Sequence, residues 1–179
     1  MFVLLLIIFL LYGGCVFWLL TGEKEAFLRT EEIIKSTTDT KKISLVVPFR
    51  NEEKNLKALI ESLLKINYPK DCYEVIFVND NSDDNSEEII YSLLQHTTSK
   101  IQYSLYRLRE NSSRKALKKK ALITGVEHAR FSIIATTDAD CIIPENWFAA
   151  ISKIFAKQEI ALAFFPVIYT RGKCSIKKW

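Results

Sequence analysis
The chain has 179 residues, 25 of them basic and 21 acidic, and a formal net charge of +4. Hydrophobic residues make up 49%, with only five glycines and four prolines, so a disordered or collagen-like chain is excluded and one ordinary domain is expected. The small net charge, with no long basic run interleaved with aromatics, argues against a nucleic-acid partner.

No charged side chain lies between Met1 and Leu20. As a helix, the run Phe2 to Leu20 would extend roughly 28 Å, close to the hydrocarbon thickness of a bilayer. A secretory signal carries a basic start and a small-residue cleavage site, and this run has neither. A transmembrane anchor over residues 2–20 is expected, with a cleaved signal or a buried helix as the alternatives. Lys24, Arg29 and Lys35 follow the run, and the positive-inside bias then puts the globular part of a single-pass cell-membrane protein in the cytoplasm. Residues 21–41 read as a juxtamembrane linker and 42–179 as the globular domain. The four cysteines, Cys15, Cys72, Cys141 and Cys174, show neither a disulfide framework nor zinc-ligand spacing. His96 and His128 lie far apart with no partner motif.

From Ile43 onward, short apolar runs alternate with amphipathic segments. Ile43 to Phe49 is apolar and β-branched, the composition of a strand buried in a parallel sheet. Asn51 is the expected N-cap of the next helix, with Glu52 and Glu53 in its first turn. Leu56, Leu59, Ile60, Leu63 and Leu64 follow at helical spacing, and Tyr68-Pro69 closes the element. Tyr73 to Asn79 reads as a second strand and Asp80 to Asn85 as a turn-rich loop. Asp84 to Glu87 fits a capping box ahead of a helix bearing Ile89, Ile90, Leu93 and Leu94. Ile101 to Leu108 is a predicted third strand. Lys115 to Ala129 is a predicted helix with Leu117, Ala121, Leu122 and Val126 inward, and Phe131 to Thr137 a fourth strand. A helix from Asn146 to Ala156, carrying Trp147, Phe148, Ile151 and Phe155, precedes a fifth predicted strand from Ile160 to Tyr169. This alternation predicts an α/β fold with a mainly parallel sheet flanked by helices.

Ligands of such sheets bind at the carboxyl ends of the strands. Three predicted strand ends deliver acids there: Glu52 after the first, Asp80, Asp83 and Asp84 after the second, Asp138 and Asp140 after the fourth. In extended backbone Asp138 and Asp140 point to one side, and a divalent cation would relieve their mutual repulsion. Hard oxygen ligands of this kind suit Mg2+ or Mn2+ completed by substrate phosphates; a solvated turn is the alternative. Lys118, Lys119 and Lys120 form either a solvated basic face or a cation set against a diphosphate. Neither a dinucleotide fingerprint nor a P-loop is present, and no serine elbow or Cys/His nucleophile pattern occurs.

Taken together, VVPFRNEEKNL, VNDNSDD, KKKALITG and TTDADCIIPENW resemble, in order, the motifs of family-2 glycosyltransferases with the GT-A fold, over Lys42 to about Phe155. The resemblance implies an inverting hexosyltransferase-type enzyme. It would move a sugar from a nucleotide-diphospho-sugar, a UDP-sugar by preference, to a carbohydrate or lipid acceptor, with Mn2+ or Mg2+. It implies that Pro48, Arg50 and Glu52 line the base pocket and that Asp80 hydrogen-bonds the base. Lys118 would face the phosphates, with Lys119 a possible substitute. Asp138 would contact the ribose or sugar, and Asp140, with Asp138, would hold the metal. Asn79 stands where the family usually has an acid, Asn81 where it has glycine, and Ile123 where many members have Asn. The family's general base, an Asp beyond the DxD pair, has no motif-matched counterpart. After Asp140 the acids are Glu145 and Glu159. The expectation is a donor-binding part with the acceptor half missing at the carboxyl end. A non-catalytic nucleotide-sugar-binding or interaction module is the alternative. A phosphatase-like domain built on strand-end aspartates is another, but it leaves the first motif unexplained.

Overall fold
The computed structural model describes residues 9–17, 40–95, 101–108, 117–156 and 160–167. The chain divides into two units, Met1–Thr38 and Asp39–Trp179. In the first, residues 9–17 are helical (α1), with Phe9, Leu10, Leu11, Tyr12 and Phe17 exposed. No helix among the described residues is long and apolar enough to cross a membrane. The described residues thus give the expected anchor no support; the remainder of the run from Phe2 to Leu20, and the linker up to residue 39, lie outside them.

The second unit is built on a four-stranded, all-parallel sheet in the order β3-β2-β1-β4. The strands are β1 (Ile43–Phe49), β2 (Tyr73–Asn79), β3 (Tyr103–Arg107) and β4 (Ile133–Thr136). Every residue of the central strands β1 and β2 is buried, which is why both read as unbroken apolar runs. Their side chains alternate between two cores. Leu45, Val47, Phe49, Val75 and Phe77 join Leu59, Ile60, Ile90, Phe148 and Ile151 in the larger one. Those partners come from α2 (Leu56–Leu64), α3 (Ser86–Gln95) and α5 (Trp147–Phe155). Val46, Ile76 and Val78 face Ala121 of α4 (Leu117–Glu127) in the smaller one. Gly125 makes that approach close: a Cβ there would lie 2.2 Å from Val46 Cγ1. The edge strands β3 and β4 are shorter and only partly covered, so their ends differ from the expected Ile101–Leu108 and Phe131–Thr137.

Several expectations are corrected. Asn51 does not cap α2; it has φ 54°, in the left-handed region, and Asn55 occupies the N-cap position. Glu52 and Glu53 therefore precede the helix instead of forming its first turn. The capping box is replaced by a tighter arrangement, in which Ser86 N–H donates to Asp84 Oδ1 (3.1 Å) and Glu87 turns away to Asn79 and Arg107. Val126 is exposed, because the inward face of α4 is carried by Ala121 and Gly125. Residues 160–167 form no strand, although Phe165 packs against Trp147 with ring centroids 5.9 Å apart. Lys115, Ala116 and residues 168–169 lie outside the described residues.

Candidate active site
The carboxyl ends of β1, β2 and β4 open into a cavity of about 330 Å³. Its lining includes all seven residues singled out from the sequence: Pro48, Arg50, Glu52, Asp80, Lys118, Asp138 and Asp140. Pro48 lies within β1, and Arg50 and Glu52 follow it; Asp80 follows β2; Asp138 and Asp140 follow β4. Lys118 projects from the first turn of α4, which crosses the opposite face of the sheet from α2. Phe49, Ala121 and Ala139 complete the walls.

Asp80 is 7% exposed, and its Oδ1 is buried without a hydrogen-bond partner among the described residues. Its backbone N–H donates to Phe49 O (2.9 Å), tying the ends of β1 and β2 together. A buried acceptor left open in a cavity wall can receive a donor from a bound molecule, and is costly to leave empty. Across the cavity, Lys118 Nζ lies 2.9 Å from Asp138 Oδ1. The hydrogen bond to Asp138, reinforced by the nearby charge of Asp140, raises the lysine above its ordinary range, so it stays cationic. Asp138 to Cys141 is a turn, with Cys141 N–H donating to Asp138 O (3.3 Å), so the extended geometry expected for the acid pair is not adopted. Both acids nonetheless reach the cavity wall. No cluster of three or more His, Cys, Asp or Glu able to hold a metal occurs among the described residues. The segment beyond is pinned to α2, with Ile143 N–H donating to Ser62 Oγ (3.0 Å). Glu145 lies on that segment and does not line the cavity, and Glu159 is outside the described residues.

The loops after β1 and β2 are laced together. Asn51 N–H donates to Ser82 Oγ (3.0 Å), and Asp83 N–H returns to Asn51 Oδ1 (3.0 Å). Glu52 N–H donates to Ser86 Oγ (2.9 Å) and Glu53 N–H to Asp84 Oδ2 (3.1 Å). Burial would raise the Asp84 carboxyl, but the hydrogen bonds from Ser86 and Glu53 outweigh it and hold it below the usual range. Asn81, like Asn51, is left-handed, with φ 55°. Asparagine tolerates that region, which accounts for its presence where the resembling family has glycine. Sequence reading missed these cross-links; the density of Asn, Ser and Asp in both loops was the available signal.

The profile of glycosyl transferase family 2 matches residues 44–178. The chain belongs to this family. Among similar proteins, glycosyltransferase AglE of Haloferax volcanii is 28% identical over 111 residues, covering 59% of this chain and 32% of that protein. Poly-beta-1,6-N-acetyl-D-glucosamine synthase of Staphylococcus epidermidis is 27% identical over 134 residues, covering 74% and 30%. The chain thus spans about a third of the length of these relatives. The structure is similar to that of Staphylococcus aureus TarS residues 1–349 in complex with UDP, with TM-score 0.51, 28% identity and coverage of 58% of this chain and 29% of that one. It also shares its fold with mannosyltransferase PcManGT of Pyrobaculum calidifontis, with TM-score 0.60, 24% identity and coverage of 74% and 39%. The parallel-sheet α/β architecture is of the GT-A type.

Proposed function
We propose that the cavity is the donor site of an inverting glycosyltransferase and binds the nucleoside diphosphate of a sugar donor, a UDP-sugar by preference. The observation carrying this reading is that residues from three strand ends and α4, separate in sequence, line one cavity. Pro48, Arg50 and Glu52 would flank the base, and the unpartnered Asp80 Oδ1 would accept a hydrogen bond from it. Asp138 would meet the ribose or sugar, and Lys118 would transfer part of its attraction from Asp138 to the diphosphate. The UDP complex of the similar TarS structure supports the choice of nucleotide.

A divalent cation fits the donor set. Asp138 and Asp140 supply hard carboxylate oxygens, a number that suits Mg2+ or Mn2+ when phosphate oxygens complete the shell. When bound, the cation would neutralise charge on the departing diphosphate. The acceptor, carbohydrate or lipid, would supply the attacking hydroxyl. We also propose a single-pass membrane anchor at Phe2 to Leu20 with the globular part in the cytoplasm, supported by the uncharged run and the basic residues after it.

Calorimetric titration with UDP, with and without Mn2+, tests the site. Binding is expected to need the cation and to fall about tenfold or more in Asp140→Asn. Equal affinity in chelator, unchanged by that substitution, would overturn the cation's role; no UDP binding by the parent chain would overturn the donor site.

A further inference from the structure
We infer that Asn79, Glu87 and Arg107 form a positioning relay that holds the Asp80 loop in register. The inference rests on the cavity being a nucleotide site. Asn79, the last residue of β2, is fully buried. Both ends of its amide are used. Nδ2 donates to Glu87 Oε1 (2.6 Å), and Oδ1 accepts Ser82 N–H (2.7 Å). Glu87 sits in the first turn of α3 and receives two hydrogen bonds from Arg107 at the end of β3, from Nε (3.0 Å) and Nη2 (2.5 Å). Ser82 in turn accepts Asn51 N–H from the loop after β1. A continuous line of hydrogen bonds therefore runs from β3 through α3 and the tip of β2 to the β1 loop, passing on either side of Asp80.

The relay sets a chemical requirement at position 79. The group there must donate toward Glu87 and accept from Ser82 in the same plane. An amide does both. A carboxylate, the residue type of the resembling family, can only accept when ionised and would face a second carboxylate at 2.6 Å. Exchanging the amide and the acid between Asn79 and Glu87 would reverse that hydrogen bond but turn a donor toward Arg107 Nε, because Glu87 Oε1 accepts from both Asn79 and Arg107. None of the three lines the cavity, so each acts through Asp80 and its loop.

The test uses the 179-residue chain and two readouts. Calorimetry with UDP and Mn2+ reports the site. Hydrogen exchange at the Ser82 amide, without nucleotide, reports the loop. Asn79→Asp should weaken UDP about tenfold and accelerate Ser82 exchange. The double variant N79D/E87Q should recover part of both losses, to about the level of Arg107→Gln, because it restores the 79–87 hydrogen bond but forgoes the Arg107 contact. Arg107→Gln, at an exposed position that a fold tolerates, should loosen Ser82 exchange and weaken UDP by a smaller factor. The relay is overturned by a double variant no better than N79D, or by Ser82 exchange that ignores both N79D and R107Q. If the parent binds no UDP while Ser82 exchange follows the expected pattern, the relay stands and the nucleotide reading of the cavity fails.

Discussion

Asp80 is held in a position that is costly without a ligand. An unpaired buried acceptor typically destabilises by about 1–3 kcal/mol, and Asp80 Oδ1 is such an acceptor. Asp80→Ala is therefore expected to leave the ligand-free melting temperature unchanged or slightly raised while reducing UDP affinity about tenfold or more. Thermal denaturation and calorimetry on the same preparation check this; a clear fall in melting temperature would mean that the carboxylate serves the fold. The Lys118–Asp138 pair differs in kind. Both side chains are more than half exposed, so the pair contributes about 0–1 kcal/mol to stability and is free to exchange partners. The seven cavity residues were legible because they are fixed by motif. What holds them was not: a hydrogen bond between Glu52 N–H and Ser86 Oγ joins residues 34 positions apart, and no local pattern announces it.

Among the elements, α4 carries a tight packing constraint. Its Gly125 faces Val46, and a methyl group there has no room. Gly125→Ala should destabilise by about 1–3 kcal/mol, as overpacked cores do, and should weaken UDP because Lys118 rides on the same helix. Urea unfolding with UDP titration checks this; the added substitution Val46→Ala should return much of both losses, and failure to do so would place the strain elsewhere. The bounds of β1 and β2 were readable residue for residue, since burial on both faces leaves no polar interruption. The start of α2 was not. Asn51 has the composition of a cap, but its left-handed backbone commits it to the loop and delays the helix to Leu56. Composition alone predicts a strand for the apolar run from Ile160, yet Leu162 and Phe164 are exposed and residues 160–167 pair with nothing in the sheet.

At the scale of the whole globular unit, the end of the sheet opposite the cavity has its own fastening. Glu74 is 6% exposed and accepts hydrogen bonds from Ser44 Oγ (2.6 Å), Arg130 N–H (2.8 Å) and Arg130 Nε (2.7 Å). Burial would raise this carboxyl, but the Ser44 and Arg130 hydrogen bonds together outweigh it and hold it below the ordinary glutamate range. A depressed carboxyl stabilises the fold above its unfolded pKa, near 4.3, and that contribution fades as pH falls through the lower folded value. Glu74→Gln should thus lose about 1–3 kcal/mol at pH 7 and show a flatter fall in stability between pH 5 and about pH 3. Urea unfolding across that range checks this, and parallel curves for parent and variant would remove Glu74 from the acid response. The α/β class and the sheet's parallel sense followed from the alternation of runs, but the strand order β3-β2-β1-β4 rests on pairings between distant segments that composition does not encode.

The lacing of the two strand-end loops also has a consequence in time. Residues 51–53 emerge from the ribosome roughly 2–7 seconds before the side chains that receive their N–H groups, at about 5–20 residues per second. Through that interval the first β–α unit has its strand and helix sequence but only water for those amides. The entrance to the cavity is completed when Ser82, Asp84 and Ser86 arrive, so the second unit finishes the first, and nascent chains halted before residue 82 hold the first motif without its final shape.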